Sequence, residues 1–191
     1  MTFIVTASGD ELSVCYPEPE FLTAPTIAWA LAQTNRFGGH SKRPYSVAEH
    51  SLLVCEIAGR ELHIDDVHGL LAALMHDAHE AFCGDVTSPL KPEIAGWSDF
   101  ENGWLRAVRR TFNLNIASMA YRSEIKQADL IALATERRDL MPRTPTPWGS
   151  IDHVQPVDWV RLDNPDRTAA TWQDWRDRWL AKYGELRKAM G

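Results

Sequence analysis

Apolar residues recur at helical spacing in five or six stretches of this chain, and this pattern constrains the fold more than any other feature. Such spacing gives each helix an apolar face, which must pack against a neighbouring element. Strand-like alternation occurs only over residues 3–16, on either side of Ser8-Gly9-Asp10. The sequence therefore predicts an all-α protein, a helical bundle with one short β-hairpin at the amino terminus.

Residues that start and stop helices give approximate bounds to these stretches. The predicted helices cover residues 26–33, 46–60, 65–83, 97–112, 118–140 and part of 166–189. Ser46, with Glu49 three residues later, is typical of a capping box, and Ser118 is a candidate N-cap for the longest helix. Trp172, Trp175 and Trp179 lie at i, i+3 and i+7 in the final helix, a spacing that favours core packing over ligand binding.

Length, charge and cysteine content narrow the class of protein further. The 191 residues suit one domain, with a core at about 26–142 and a helical extension at about 166–189. The formal net charge of -6 gives no general attraction to nucleic acid or anionic lipid. The three cysteines form no CxxC pair, and no apolar run is long enough to cross a bilayer. These features predict a cytoplasmic protein with neither nucleic acid nor membrane as its partner.

Ionisable residues interrupt the apolar faces of three predicted helices. His50 falls within an apolar stripe, His76 and Asp77 follow the run LLAALM at 70–75, and Asp129 lies between two alanines of its stripe. A lone inward histidine is usually a satisfied core residue, and an inward aspartate often pairs with an arginine. An unpaired buried carboxylate costs roughly several kcal/mol, so Asp129 implies a cation, a metal ion or a dense set of hydrogen bonds.

A divalent metal ion accounts for all four of these residues together. Two imidazoles and two carboxylates form a donor set suited to Mn²⁺, Co²⁺, Fe²⁺, Ni²⁺ or Zn²⁺. Such an ion lowers the pKa of water to as little as about 7 and neutralises phosphate charge, which is the chemistry of phosphate ester hydrolysis. Glu80 lies one helical turn beyond His76, where it can orient or deprotonate that water.

The order of these motifs resembles the HD-domain metal phosphohydrolases, which are helical bundles. The segments AEHS at 48–51, HDAHE at 76–80 and KQADLIA at 126–132 match the signature of a histidine, a His-Asp pair and a distant aspartate. The flanking segments NRFGGH at 35–40 and HDAHEAFCGDVTSPLK at 76–91 make the match more specific. Within the family, the chain most resembles bacterial 5'-nucleotidases of 2'-deoxynucleoside monophosphates and phage-type deoxynucleoside triphosphate triphosphohydrolases.

The resemblance implies a role for each matching residue. It implies a divalent ion (Co²⁺, Mn²⁺, Zn²⁺, Fe²⁺, Ni²⁺ or Mg²⁺) held by four ligands, which are His50, His76, Asp77 and Asp129. It implies that Glu80 is the catalytic acid. It further implies a set of substrate-binding residues, which comprises Arg36 and Lys91 for phosphate, Phe37 for the nucleoside, Asp85 for the 3'-hydroxyl, and His79.

The substrate-binding residues also have simpler interpretations. Arg36, Arg43 and Lys91 can be solvated surface charges, and Phe37 can fill the core. His79 either reaches substrate phosphate or is an exposed helix residue without a role.

The predicted function is removal of phosphate or triphosphate from 2'-deoxynucleotides by a metal-dependent phosphohydrolase. The loop before His50 is one residue shorter than in the monophosphatases, which leaves the choice between monophosphate and triphosphate open. Two alternatives are a phosphodiesterase of cyclic or linear dinucleotides and a non-catalytic nucleotide-binding module. Relatives form dimers or hexamers, so the resemblance implies a homo-oligomer, with the tryptophan-rich carboxyl-terminal region as a candidate interface.

Overall fold

The computed structural model describes residues 2–15 and 17–191. The predicted hairpin is present as β1, Phe3–Val5, paired antiparallel with β2, Glu11–Ser13. Gly9, in the turn between them, has a φ of 90°, a backbone conformation that glycine adopts without strain. The hairpin prediction is confirmed, although Tyr16, at the end of its predicted range, lies outside the described residues.

Helices make up most of the described chain, which confirms the all-α prediction. In chain order they are α1 Ala24–Gln33, α2 Val47–Arg60, α3 Val67–Leu74, α4 Glu80–Cys83, α5 Trp97–Thr111, α6 Asn115–Ala120, α7 Arg122–Leu140, α8 Pro165–Ala169 and α9 Trp172–Ala189. Short 3-10 turns occupy Pro19–Phe21, Arg36–Gly39 and Lys91–Glu93. Within the described residues, no helix combines the length and apolar character needed to cross a membrane.

Helix α2 lies at the centre of the bundle and packs against α1, α3, α7 and α9. One apolar cluster joins α1, α2 and α9, and a second joins α2, α3 and α7. Trp175 and Trp179 are buried in the first cluster, and Trp172 packs against it. The prediction that these tryptophans pack in the core is confirmed, since the rings of Trp175 and Trp179 are covered by this chain itself.

The prediction of one continuous helix over 65–83 is wrong. Helix α3 ends at Leu74, and Met75 leaves the helical conformation with φ -101° and ψ 12°. The side chain of His76 helps to end the helix, because its Nδ1 lies 2.9 Å from the carbonyl oxygen of Ala73. The chain then turns until α4 begins at Glu80. This break places His76 and Asp77 in a turn instead of on a helix face.

Two predictions about helix ends are also corrected. Ser118 does not cap the long helix, because it is buried inside α6 and the chain is interrupted at Tyr121 before α7 begins. Ser46 does cap α2, with its hydroxyl accepting from the Glu49 N–H at 3.2 Å. Glu49 does not complete a capping box, because charged partners hold its carboxylate, and a charge-assisted hydrogen bond is stronger than one to a backbone N–H.

Candidate metal centre

The four predicted metal ligands come together from three parts of the fold. His50 lies in the first turn of α2, His76 and Asp77 lie in the turn after α3, and Asp129 lies on α7. From the His50 Nε2 atom, the distances are 3.3 Å to His76 Nε2, 3.5 Å to Asp77 Oδ2 and 3.5 Å to Asp129 Oδ1. His76 Nε2 lies 3.0 Å from Asp77 Oδ2. His50 is completely buried, so the prediction that it points inward is confirmed.

The hydrogen bonds of the two histidines define which ring nitrogen carries the proton. His50 Nδ1 lies 2.6 Å from a carboxylate oxygen of Glu136, and His76 Nδ1 lies 2.9 Å from the carbonyl oxygen of Ala73. Both oxygens are acceptors, so in each neutral imidazole Nδ1 donates and Nε2 keeps its lone pair. In that neutral form the two Nε2 atoms present lone pairs to one shared space, which the carboxylate oxygens also face. This arrangement fits a divalent ion, with nitrogen and oxygen donors converging and each imidazole oriented from behind.

The pKa shifts of these residues also favour a cation at this centre. Burial and Arg36 lower the pKa of His50, but Glu136, Asp129 and Asp77 outweigh them and raise that pKa well above its ordinary 6.5. Burial raises the pKa of Asp77, but the adjacent histidines outweigh it and hold that pKa well below its usual range. The pKa of Asp129 is also lowered, through its contact with His50. The carboxylates thus favour positive charge on the imidazoles, and a divalent ion would supply that charge in place of their protons.

Asp129 lies at the edge of the cluster. The ligand atoms of His50, His76 and Asp77 all lie within 4.8 Å of one another, and Asp129 is outside this compact set. Its second oxygen, Oδ2, accepts from Lys126 Nζ at 2.8 Å. The Lys126 side chain is 66% exposed, and ion pairs at the surface are weak. Lys126 therefore offers little resistance to a reorientation of Asp129.

Glu80, the predicted catalytic residue, is the first residue of α4 and is 4% exposed. Its Oε2 atom is buried with no hydrogen-bond partner among the described residues. Burial raises the pKa of Glu80 well above its ordinary value, and the charges of Asp77 and Asp85 raise it further. A carboxyl group in such surroundings exchanges its proton closer to neutral pH, as a general acid or base requires.

Arg36 is not a solvated surface charge, because its side chain is only 11% exposed. Its Nη2 lies 3.2 Å from Glu136 Oε2, and its Nη1 lies 3.7 Å from Asp77 Oδ2. Burial alone lowers its pKa, but Glu136 and the acidic residues of the centre reverse this effect and keep the guanidinium charged. The Nε atom is buried without a partner among the described residues, and Nη1 is too far from Asp77 for a hydrogen bond, so both groups are uncommitted.

Lys91 and His79 meet at Glu101, a residue of α5 that the sequence did not indicate. Lys91 Nζ donates to Glu101 Oε1 at 2.6 Å, and His79 Nε2 lies 3.7 Å from the same oxygen. Lys91 is therefore in an ion pair and not simply a solvated charge. His79 is 6% exposed, so its interpretation as an exposed residue is wrong. Asp85 is partly buried, and burial raises its pKa.

Phe37 lies in the 3-10 turn beside Arg36 and has a φ of 57°, in the left-handed region. Its partly buried ring packs on the second apolar cluster, with its centroid 6.2 Å from that of Trp148. Trp148 follows the proline-rich stop signal after α7 and was not predicted at the site.

Two other residues have positions that sequence reasoning missed or misjudged. Glu136 is completely buried against His50 and Arg36. Its spacing was a usable signal, because it lies seven residues, or two helical turns, after Asp129 on α7. Arg43 is not a surface charge, because it is buried in an ion pair with Glu49.

Comparison with known proteins agrees with this architecture. The HD domain family matches residues 31–126, half of the chain. An uncharacterized protein of Escherichia coli strain K12, YfdR, is 35% identical over 140 residues, which are 73% of this chain and 73% of YfdR. An uncharacterized protein of Rhodobacter capsulatus is 34% identical over 137 residues, which are 70% of each chain.

The helical bundle and its His and Asp cluster thus define a member of a hydrolase class. The chain belongs to the HD domain family. HD domains are generally hydrolases that bind divalent metal ions, and this family indicates a metal-dependent phosphohydrolase.

Proposed function

We propose that this protein removes phosphate or triphosphate from 2'-deoxynucleotides, with a divalent ion held by His50, His76, Asp77 and Asp129. The observation that carries the proposal is a cluster of imidazole and carboxylate donors, buried or largely buried, beside the largely buried guanidinium of Arg36. The donor set suits a metal ion, and a fixed cation next to it suits the phosphate of a substrate. The motifs that flank His50 and follow Asp77 support a deoxynucleotide as that substrate.

A divalent ion bound here would supply Lewis acidity, since it polarises a phosphoryl oxygen and lowers the pKa of water. The residues of the chain supply the remaining parts of the reaction. Arg36 holds a phosphate oxygen through donors that the neighbouring carboxylates leave free. Glu80, as a carboxylate, accepts the proton of the attacking water and then donates it to the leaving oxygen. Its raised pKa suits both steps, because it brings the two protonation states closer in free energy near neutral pH.

The remaining predicted contacts would surround the rest of the nucleotide. Lys91 and His79 lie in the loop and the turn on either side of α4 and share Glu101 as their partner. Phe37 offers an apolar ring beside Arg36 for a base or sugar, and Asp85 offers an acceptor for the 3'-hydroxyl.

The first test is a product assay on the four deoxynucleoside monophosphates and the four triphosphates, with Mg²⁺, Mn²⁺, Co²⁺ and Zn²⁺ in turn. Phosphate released from monophosphates would define a 5'-nucleotidase. Intact triphosphate released from a deoxynucleoside triphosphate would define a triphosphohydrolase. Cleavage of cyclic or linear dinucleotides without action on deoxynucleotides would replace the proposal with a phosphodiesterase. Nucleotide binding without turnover, with every metal, would replace it with a binding module.

Paired histidine variants connect the activity to this centre. His76→Ala removes a predicted ligand, and we expect turnover to fall to background and metal affinity to fall with it. His68→Ala is the matched control, because His68 lies on α3, about two helical turns before the break, and its side chain is 55% exposed. Equal activity in the two variants would show that the reaction takes place elsewhere.

A further inference from the structure

We propose that Glu136 is a positioning residue that holds the predicted metal ligand His50 and the predicted phosphate-binding residue Arg36 through one buried carboxylate. The expected effect of Glu136 on substrate binding rests on the proposed function, whereas its expected effect on metal affinity can be measured without turnover. Neither the HD motif nor the predicted ligand set includes this residue.

Each oxygen of Glu136 has its own partners. Oε1 accepts from His50 Nδ1 at 2.6 Å and from the Tyr45 hydroxyl at 3.0 Å. Oε2 accepts from Arg36 Nη2 at 3.2 Å. Glu136 and Tyr45 are completely buried, so water does not compete for these contacts. A single carboxylate on α7 therefore joins α2 to the turn that carries Arg36.

The contact with His50 determines what that imidazole presents to the centre. Because Glu136 accepts the Nδ1 proton, the Nε2 lone pair points to His76, Asp77 and Asp129. A carboxylate behind a metal-binding histidine fixes its tautomer and ring orientation and makes it a stronger ligand. The guanidinium of Arg36, which donates to the other oxygen of Glu136, provides the counter-charge for this buried carboxylate.

The contact with Arg36 determines which of its donors remain free. Nη2 is occupied by Glu136, whereas Nε has no partner among the described residues and Nη1 makes only the 3.7 Å contact with Asp77. Glu136 also compensates the guanidinium charge inside the protein, where an unpaired cation would be costly. Loss of Glu136 should therefore weaken both the metal ligand and the phosphate contact.

Glu136→Gln separates this role from that of a simple buried polar residue. The amide keeps the shape of the side chain but replaces one acceptor oxygen with a donor NH₂ group. That group faces either His50 Nδ1 or Arg36 Nη2. One of the two contacts is then lost, or His50 moves its proton from Nδ1 to Nε2 and gives up the lone pair that faces the centre. Asp139→Asn is the matched control, because Asp139 is completely buried on the same helix but bonds Arg138 and the Leu162 N–H, away from the centre.

The experiment titrates Co²⁺ into the wild type and both variants after removal of metal with a chelator, and follows heat and visible absorption. We expect Glu136→Gln to bind Co²⁺ about 10- to 100-fold more weakly, with a changed absorption spectrum. Asp139→Asn should bind within about twofold of wild type, the range for a residue without contact to the ligands. Equal affinity in wild type and Glu136→Gln would overturn the proposal, as would equal weakening by the two variants.

Two further readouts keep the result unambiguous. With a nucleotide that the wild type hydrolyses, Glu136→Gln at saturating metal should raise KM, because Arg36 loses its orientation. If Glu136→Gln does not fold, the wild type loaded with Zn²⁺ answers the same question by NMR. A slowly exchanging, downfield proton on His50 Nδ1 supports the contact, and a rapidly exchanging one overturns it. Absence of turnover in the wild type would count against the proposed function alone, since Co²⁺ affinity would still report on Glu136.

Discussion

Glu80 shows how a single buried charge connects the stability of this protein with its activity. Its folded-state pKa is raised, so the folded protein binds its proton more tightly than the unfolded chain. Below its ordinary pKa of 4.5 both states are protonated and the group has no effect. As pH rises towards the folded pKa, ionisation is resisted only in the folded state, and the free energy of unfolding decreases.

Glu80→Gln should remove this decrease in the free energy of unfolding at high pH, and it should also lower turnover. In chelator, we expect the variant to be roughly 1 kcal/mol or more stable than wild type at about pH 8, with no gain at about pH 4. Turnover should fall about 10²- to 10⁴-fold, the usual contribution of a general acid or base. Urea unfolding at the two pH values and an assay with saturating metal measure these effects.

Glu101→Gln provides the opposite case for comparison. The nearby His79 ring and the ion pair with Lys91 lower the pKa of Glu101, so its ionised form stabilises the fold above the ordinary pKa of 4.5. Its replacement should therefore destabilise the protein at about pH 8 and have little effect at about pH 3. If Glu80→Gln also destabilised the protein at the higher pH, Glu80 would not be a carboxyl group whose ionisation is resisted in the folded state.

Residues of the centre differed in how well the sequence could indicate them. His50 and Asp129 were visible because each interrupts an apolar stripe, and the histidine is indeed buried. Glu101 was not visible, because it lies on a mainly polar helix where a paired carboxylate has the same pattern as a solvated one. Glu136 was missed because its neighbours in the sequence are also ionisable, although its spacing from Asp129 places both on one face of α7.

Helix α3 leads to His76 and Asp77, and close packing against neighbouring elements fixes its position. Gly69 on α3 leaves no room for a methyl group, since an added Cβ would lie 2.7 Å from Ile64 Cγ2 and 2.8 Å from the Tyr121 ring. We expect Gly69→Ala to destabilise the protein by about 1–3 kcal/mol, the cost of overpacking a filled site. The measurement is the free energy of unfolding in urea.

Gly103→Ala is the control for this prediction. Gly103 lies inside α5, and apart from its own helix no described atom lies within 4 Å of an added Cβ. Alanine favours a helix over glycine, so this variant should gain about 0.4–1 kcal/mol. A gain in stability for Gly69→Ala as well would contradict the close approach of α3 to Tyr121.

Helix bounds were well predicted where the apolar pattern decides them. They were less well predicted where a polar side chain bonds a backbone carbonyl oxygen that would otherwise accept from the helix. The predicted helix at 97–112 agrees with α5, Trp97–Thr111, to within a residue. The predicted helix over 65–83 failed because His76 bonds a carbonyl oxygen of the last turn of α3, a contact that helical periodicity does not reveal. The apolar pattern therefore predicts which helices form, whereas the break between α3 and α4 depends on one polar contact.

At the scale of the whole molecule, Glu49 joins the central helix to the chain on either side of it. Its carboxylate accepts from Arg43 at 2.8 and 2.7 Å and from Arg167 on α8 at 2.8 Å. Arg43 in turn donates to the carbonyl oxygen of Leu162, and the guanidinium of Arg167 lies over the ring of Trp175. This network connects the loop before α2 with the carboxyl-terminal segment across more than a hundred residues of sequence.

Glu49→Gln should therefore destabilise the whole fold. Glu49 is completely buried and Arg43 is 9% exposed, so loss of the carboxylate leaves a buried guanidinium without its counter-ion. Removal of one partner from a buried ion pair costs about 3–5 kcal/mol, and the amide of Gln keeps only part of the hydrogen bonding. We expect a loss near the lower end of that range in urea unfolding, with one cooperative transition because α2 contacts both apolar clusters.

Glu56→Gln is the matched control on the same helix. Glu56 pairs with Arg60 at 2.8 Å, but the two side chains are 38% and 57% exposed, so water screens the charges. This variant should lose at most about 1 kcal/mol. If Glu49→Gln and Glu56→Gln lowered the free energy of unfolding equally, the contacts of Glu49 with Arg43 and Arg167 would contribute no more than a surface ion pair. A larger cost for Glu49→Gln would show that the carboxyl-terminal helices are held to the HD domain core by a buried ionic contact as well as by their tryptophans.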